Sequence, residues 1–186
     1  QRTFDVPSAW KGKQILLHFG AVDWKADVWV NDVKVGQHTG GFTPFYFDIT
    51  SALNKGNNQL VVKVWDPADR GEQPRGKQVE RPEGIWYTAV TGIWQTVWLE
   101  PVAVNHVTAI KAIPDVDKEL VDVTVSAAKC CAADYVEVAI LDGGKQIATA
   151  KGVAGKALRL AVKSPKLWSP ENPVLYDMKV SLFSNG

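Results

Sequence analysis

Gly84-Ile85-Trp86-Tyr87-Thr88-Ala89-Val90-Thr91-Gly92-Ile93-Trp94-Gln95-Thr96-Val97-Trp98-Leu99-Glu100 holds three of the chain's eight tryptophans and a tyrosine within seventeen residues. From Trp94 to Glu100 the residues alternate: Val97 and Leu99 point one way, Trp94, Thr96, Trp98 and Glu100 the other. A period of two means a strand. Upstream, Gly84 and Gly92 bracket an aromatic loop, with Pro74 and Pro82 further back. The segment from Asp66 to Val90 therefore reads as an irregular, charged, aromatic loop that feeds directly into a core strand. Loops carried on a rigid sheet are where recognition usually sits. Trp94 and Trp98 read as members of an aromatic core. Trp86 and Tyr87, on the loop, read equally as a binding surface and as plain packing.

Outward from this stretch the alternation recurs. Lys13 to Phe19 puts Ile15, Leu17 and Phe19 on one face and Gln14, Leu16 and His18 on the other; Ala26 to Asn31 puts Ala26, Val28 and Val30 inward. Asn31-Asp32 reads as a hairpin turn into Lys34-Val35-Gly36. Gly40-Gly41 and Pro44 punctuate the next stretch, where Phe45 and Phe47 alternate with Tyr46 and Asp48. Asp48 to Leu53 reads as a short helical turn, Lys55 to Asn58 as a turn, and Gln59 to Trp65 as a strand with Leu60, Val62 and Val64 inward. Val97, Leu99, Val62, Val28 and Leu17 share the inward phase and form the expected core. Short strands with frequent turns mean an all-β sandwich or barrel.

Composition shifts near Pro101, since seven of the eight tryptophans precede it. Six further strands are expected at His106 to Ile113, Leu120 to Ser126, Tyr135 to Leu141, Gln146 to Lys151, Ala157 to Lys163 and Tyr176 to Phe183. Lys129 to Ala133 reads as a turn, and Trp168 to Pro173 as a rigid loop before the last strand. Short strands at this density match an immunoglobulin-like sandwich, though no Cys–Trp–Cys pattern of an antibody-type domain is present. The expected domains are 1–103 and 104–186, joined with limited freedom.

With 186 residues, 46% hydrophobic and 22% charged, the chain has the composition of a soluble globular protein. A net charge of +1 with scattered bases gives no reason to expect a nucleic-acid or membrane partner. Cys130 and Cys131 are adjacent and have no other cysteine to pair with, so neither a disulfide framework nor a cysteine zinc motif is expected. His18, His38 and His106 lack metal-ligand spacing. No cofactor and no metal is expected. His18 reads as a strand residue packed beside Trp29. His38, in the Gly-Gly hairpin, reads first as structural.

Three ordered motifs carry a resemblance. They are Trp10-Lys11-Gly12-Lys13 with Leu17 to Trp24 and Val28-Trp29-Val30-Asn31; Gly36 to Phe45 with Asp48-Ile49-Thr50; and Thr91 to Glu100. Together they resemble the N-terminal sugar-binding jelly roll of the β-galactosidase, β-glucuronidase and β-mannosidase family, glycoside hydrolase family two. Residues 104–186, with Leu167-Trp168-Ser169-Pro170-Glu171-Asn172-Pro173-Val174-Leu175-Tyr176, resemble the immunoglobulin-like domain that follows it.

The resemblance implies a non-catalytic N-terminal piece of a retaining β-glycosidase, an O-glycosyl hydrolase of carbohydrate metabolism. Its partner would be a catalytic α/β barrel of the same polypeptide, and through that barrel a carbohydrate substrate; a homo-oligomer is admitted. Further strand material is implied ahead of Arg2-Thr3-Phe4, and one more strand after Gly186. The resemblance places the loop at the barrel mouth, with Trp86, Tyr87, Arg75, Lys77, Gln78 and His38 as rim residues toward the sugar. The hairpin of Gly40-Gly41 is expected beside Trp86.

No catalytic residue is expected in the chain. Retaining hydrolysis needs two carboxylates about 5–5.5 Å apart, and the family's Asn-Glu pair does not occur here. Asp69, Glu72, Glu80 and Glu83 lie among Arg70, Arg75, Lys77 and Arg81, which reads as a solvated mixed-charge loop. No signal peptide is visible, so the compartment is undecided; breakdown of polysaccharide would favour a periplasmic or secreted one. The competing readings are a free-standing carbohydrate-binding module or lectin-like sandwich, and an adhesive β-sandwich protein. The bare strand pattern suits all of them.

Overall fold

The structure, a computed structural model, describes residues 1–129 and 134–184. The adjacent cysteines and most of the turn expected at Lys129 to Ala133 lie outside the described residues. The chain divides into two compact units, Gln1–Ala103 and Val104–Gly186.

The first unit holds β1 (Arg2–Phe4), β2 (Gln14–Phe19), β3 (Val22–Asp23), β4 (Lys25–Val30), β5 (Val33–Thr39), β6 (Phe45–Asp48), β7 (Asn58–Trp65), β8 (Gln78–Val79), β9 (Tyr87–Thr88), β10 (Gly92–Ile93) and β11 (Val97–Val102). One sheet runs β1-β7-β4-β5, a second β11-β2-β6, and β10 pairs with β3. This is a jelly-roll sandwich. Its core follows from the alternation: Ile15, Leu17 and Phe19 of β2 and Ala26, Val28 and Val30 of β4 are each 2% exposed or less. Val97 and Leu99 sit directly opposite Phe19 and Leu17 in the β11–β2 register, so they share that inner face. They are only partly buried, as is Val62, because a cavity of about 580 Å³ opens between Phe4, Trp10, Leu60, Val62, Val97 and Leu99.

Two local devices fix the strands. Asn31 and Asp32 both adopt positive φ, 48° and 64°, as a tight two-residue hairpin turn requires. The Asn31 amide then donates to the Ala52 carbonyl at 2.8 Å and to Oδ1 of the buried Asn58 at 2.7 Å, tying β4 to β7 and to the single-turn helix Thr50–Ala52. On β5, Gly36 leaves the space that the Phe47 ring fills: a Cβ there would lie 2.1 Å from Cε1 of that ring.

The expected strand from Trp94 to Glu100 begins only at Val97. Trp94 and Gln95 instead both direct their N–H groups to the Ala21 carbonyl, at 3.3 and 3.4 Å. This crossing separates the short β10–β3 pair from the β11–β2 ladder.

The second unit holds β12 (Val107–Asp115), β13 (Leu120–Ala127), β14 (Tyr135–Asp142), β15 (Lys145–Val153), β16 (Ala157–Ala161) and β17 (Asp177–Phe183). Its sheets run β12-β13-β16 and β15-β14-β17, an immunoglobulin-like sandwich. Val123 and Val125 face Val136 and Val138 in its core, all four fully buried. Ile110 and Ala112 pair with Val125 and Val123, so they belong to the inner face; yet both are exposed, Ile110 by 49%. The Trp168 loop closes on itself through reciprocal backbone bonds between Ser169 and Asn172, at 3.0 and 3.1 Å.

Candidate functional site

The segment between β7 and β10 lacks a repeating pattern because side chains rather than a long ladder close it. Arg70 pairs with Glu80 at 2.7 Å, the Arg75 guanidinium donates to the Asp69 carbonyl at 2.7 Å, and the Gln73 amide donates to the Ala68 carbonyl at 2.9 Å. β8 and β9 form a two-residue parallel pair, and the Tyr87 N–H reaches the Lys77 carbonyl at 2.8 Å. The braced loop holds Trp86 and Tyr87 toward solvent, 42% and 66% exposed.

The sequence-predicted rim residues do not converge on one cavity. Trp86 and Tyr87 project outward. Arg75 is engaged within the loop. Lys77 contributes its carbonyl to the β8–β9 junction, while the Gln78 side chain accepts the Val90 N–H at 2.7 Å and bonds to Asp23. His38 lies on β5 with its ring stacked on Phe45, 4.1 Å between centroids and 12° between planes; its Nε2 is 3.2 Å from Thr43 Oγ1. Those contacts brace the turn that follows β5; the hairpin expected at Gly40-Gly41 is instead a connection between the two sheets, since β5 pairs with β4 and β6 with β2.

What the fold does bring together is a cleft of about 360 Å³ between Asp23, Phe42, Gln78, Thr91, Ile93 and Trp94. Four separate segments build it: β3, the Gly40-Gly41 connection between β5 and β6, the long loop and β10. That connection thus meets the base of the loop at Gln78 and Val90. Trp94 Nε1 donates to the Gly41 carbonyl at 2.7 Å, and the Phe42 ring stands edge-on to the indole at 6.1 Å and 71°. Both rings remain more than half exposed. A Cβ on Gly41 would meet Asp23 Oδ1 at 2.7 Å, so only a glycine lets this carboxylate come so close.

Burial pushes the Asp23 carboxyl above its ordinary value, repulsion from Asp66 adds to that, and the Gln78 hydrogen bond offsets part of it. Asp66 itself is satisfied: one oxygen accepts the Ala68 N–H at 2.8 Å, the other the Thr91 hydroxyl at 3.0 Å. Among the described residues no group of three or more His, Cys, Asp or Glu is placed to hold a metal ion.

Two sequence expectations are corrected here. Trp94 and Trp98 are surface residues, 54% and 43% exposed: Trp98 takes the phase opposite to Val97 and Leu99 on β11, and Trp94 lies ahead of that strand, its Nε1 held by the Gly41 carbonyl. Phase was the signal for Trp98, and the doubled glycine was the signal for Phe42. His18 packs beside Trp98, not Trp29: their rings stack at 4.8 Å and 5° on the outer face of the β11-β2-β6 sheet, with Tyr46 next in the row at 5.3 Å. Trp29 lies on the other sheet beneath the Lys34 ammonium, 5.5 Å away. His18 Nε2 is 2.9 Å from Glu100 Oε2, without the geometry of a hydrogen bond.

Comparison with known proteins covers both units. Residues 1–101 match the family described as "Glycosyl hydrolases family 2, sugar binding domain", and residues 105–186 match "Glycosyl hydrolases family 2". A β-glucuronidase of Paenibacillus borealis is 31% identical, across all of this chain and 33% of the relative. A β-galactosidase of Thermoanaerobacter pseudethanolicus is 28% identical, across 99% of this chain and 26% of the relative. Among solved structures, a Lactobacillus rhamnosus β-glucuronidase superposes with a TM-score of 0.79 at 30% identity, over 99% of this chain and 32% of that one. The chain thus spans about a quarter to a third of the length of these relatives. It belongs to glycosyl hydrolase family 2, of which it carries the sugar-binding jelly roll and the immunoglobulin-like domain.

Proposed function

We propose that this chain is the non-catalytic N-terminal part of a β-glycosidase that hydrolyses O-glycosidic bonds, and that its jelly roll shapes the substrate pocket of a catalytic α/β barrel in the same polypeptide. The observation that supports this most is the two matched family domains, in order, along the whole chain. The chemistry agrees. Retaining hydrolysis requires a carboxylic acid and a carboxylate facing each other across the scissile bond. Glu80 is bound up with Arg70, and both oxygens of Asp66 are occupied.

In this reading the exposed pair Trp86 and Tyr87 offers ring faces to a sugar at the barrel mouth. Lys77, whose carbonyl accepts the Tyr87 N–H, and Arg75 would supply hydroxyl contacts, and Gln78 and His38 hold the loop and the β5–β6 connection in place. The test is Trp86→Ala in the polypeptide that joins this chain to its barrel. Its kcat/KM should fall about three- to tenfold, the worth of one stacking ring, with the fold unchanged. Wild-type kinetics would remove the rim assignment.

A second reading, a free-standing carbohydrate-binding module, is favoured by one observation: the cleft beneath Trp94 is assembled within the first unit alone. It predicts sugar affinity in this chain without any barrel.

A further inference from the structure

The structure assigns a second carbohydrate site to the jelly roll: we propose that the cleft between Asp23, Phe42, Gln78, Thr91 and Trp94 binds a neutral hexopyranose, and that it discriminates against uronic acids. The inference rests on the carbohydrate role proposed above, but not on the exposed Trp86–Tyr87 pair.

A pyranose presents an apolar C–H face and a rim of hydroxyls. A site for it needs a fixed ring face and polar groups at the ring's edge. Trp94 supplies the first. Its Nε1–H is held by the Gly41 carbonyl at 2.7 Å and its flank by the edge-on Phe42, so the indole is locked while more than half of it stays at solvent. An exposed apolar ring held this firmly is pre-organised, and binding then costs little ordering.

Asp23, Gln78 and Thr91 supply the second. The Gln78 amide is positioned at both ends, its oxygen by the Val90 N–H and its nitrogen by Asp23. The Thr91 hydroxyl is fixed on Asp66 at 3.0 Å, which leaves its oxygen able to accept. Asp23 is only partly exposed, faces the like charge of Asp66 and accepts from the Gln78 amide, which leaves carboxylate lone pairs open to further donors. Hydroxyls of a bound sugar would provide them, and hydrogen bonds to a charged acceptor are the strong ones.

The same arrangement sets the charge of the ligand. The cleft is lined by one acid and no Lys, Arg or His. The guanidinium groups of Arg70 and Arg75 are turned to Glu80 and to the Asp69 carbonyl. A sugar carboxylate would meet Asp23 and Asp66 with no cation to offset them, in surroundings less polar than water. At about 360 Å³ the cleft holds one ring rather than a chain.

The test is a titration of the 186-residue chain with methyl β-D-galactopyranoside, methyl β-D-mannopyranoside and methyl β-D-glucuronide. It is followed in ¹⁵N–¹H spectra at the indole N–H and side-chain amide signals, with the Trp94 signal assigned by its loss in Trp94→Phe. A ligand of about 13 non-hydrogen atoms at ordinary ligand efficiency should bind with Kd on the order of 1 mM. The Trp94 indole and Gln78 amide signals should shift saturably with a neutral glycoside, and the glucuronide should bind at least about tenfold more weakly. Phe42→Ala, at an exposed position, and Asp23→Ala should each weaken binding about tenfold or more. Trp168→Ala, at an exposed position in the second unit, should bind as the wild type does.

Shifts absent with both neutral glycosides, stronger binding of the glucuronide, or binding kept in both Phe42→Ala and Asp23→Ala would each overturn the assignment. Absence of binding here, together with an impaired Trp86→Ala in the barrel-containing enzyme, would sink this site and leave the proposed function standing.

Discussion

Trp94 Nε1 donates a 2.7 Å hydrogen bond to the carbonyl oxygen of Gly41, fifty-three residues away in sequence. This bond fastens the Gly40-Gly41 connection between the two sheets to the segment that leads into β11. Trp94→Phe keeps an aromatic ring and removes the donor. It should cost about 0.5–1.5 kcal/mol, one partly buried hydrogen bond, read from urea unfolding. A loss below that range would mean that the connection is held by packing alone.

Gly36 faces Phe47 so closely that a methyl group has nowhere to go. Gly36→Ala should destabilise the chain by about 1–3 kcal/mol through overpacking. Adding Phe47→Leu should recover part of that loss, since the two residues share one space. If Gly36→Ala alone unfolds at the wild-type midpoint, the sheets have more slack than the structure shows.

The Asp23 carboxyl holds its proton more tightly in the folded chain than at its unfolded value of 3.8, because of burial and Asp66. Above that pH the native state binds more protons than the unfolded one. Stability therefore falls as pH rises through the window that begins at 3.8 and ends at the raised native value. Asp23→Asn removes the charge and keeps an acceptor for Gln78. It should be more stable than the wild type at pH 7, and the advantage should vanish below pH 3.8, where both states are protonated. Thermal unfolding across that range measures it; an advantage independent of pH would contradict the assigned cause.

Ile110 lies on the inner face of its sheet but stays half exposed, and its own strand β12 has one neighbouring strand among the described residues. An open edge beside exposed apolar surface invites pairing with another chain. The chain should self-associate at high concentration, and Ile110→Lys should reduce this in light scattering. Monomers in both proteins would show that the edge is already protected.

Most of the fold was legible because its signals are local. Alternation in β2 and β4 placed Leu17 and Val28, and Asn31-Asp32 marked a turn that only positive φ can make. Leu99 is a partial case: its phase is inward, but a cavity opens over it, and no strand pattern records an absent neighbour. The candidate site was far less legible. Trp94 and Trp98 were drawn into the core by their size, although the phase of Trp98 pointed outward. The cleft itself joins Asp23, Phe42, Gln78 and Trp94 from four segments, and sequence spacing does not encode that kind of convergence. The long loop had no period to read, because side-chain bonds such as Arg70–Glu80 and Gln78–Val90 hold it closed.

The central claim is that this chain serves a glycosidase without performing the hydrolysis. It is tested most directly by incubating the purified 186-residue chain with the nitrophenyl β-galactoside, β-glucuronide and β-mannoside and following nitrophenol release. The rate should equal that of buffer alone for all three. Turnover that follows the chain through purification, and disappears in Asp23→Asn or Glu80→Gln, would show a catalytic carboxylate within these residues and contradict the claim.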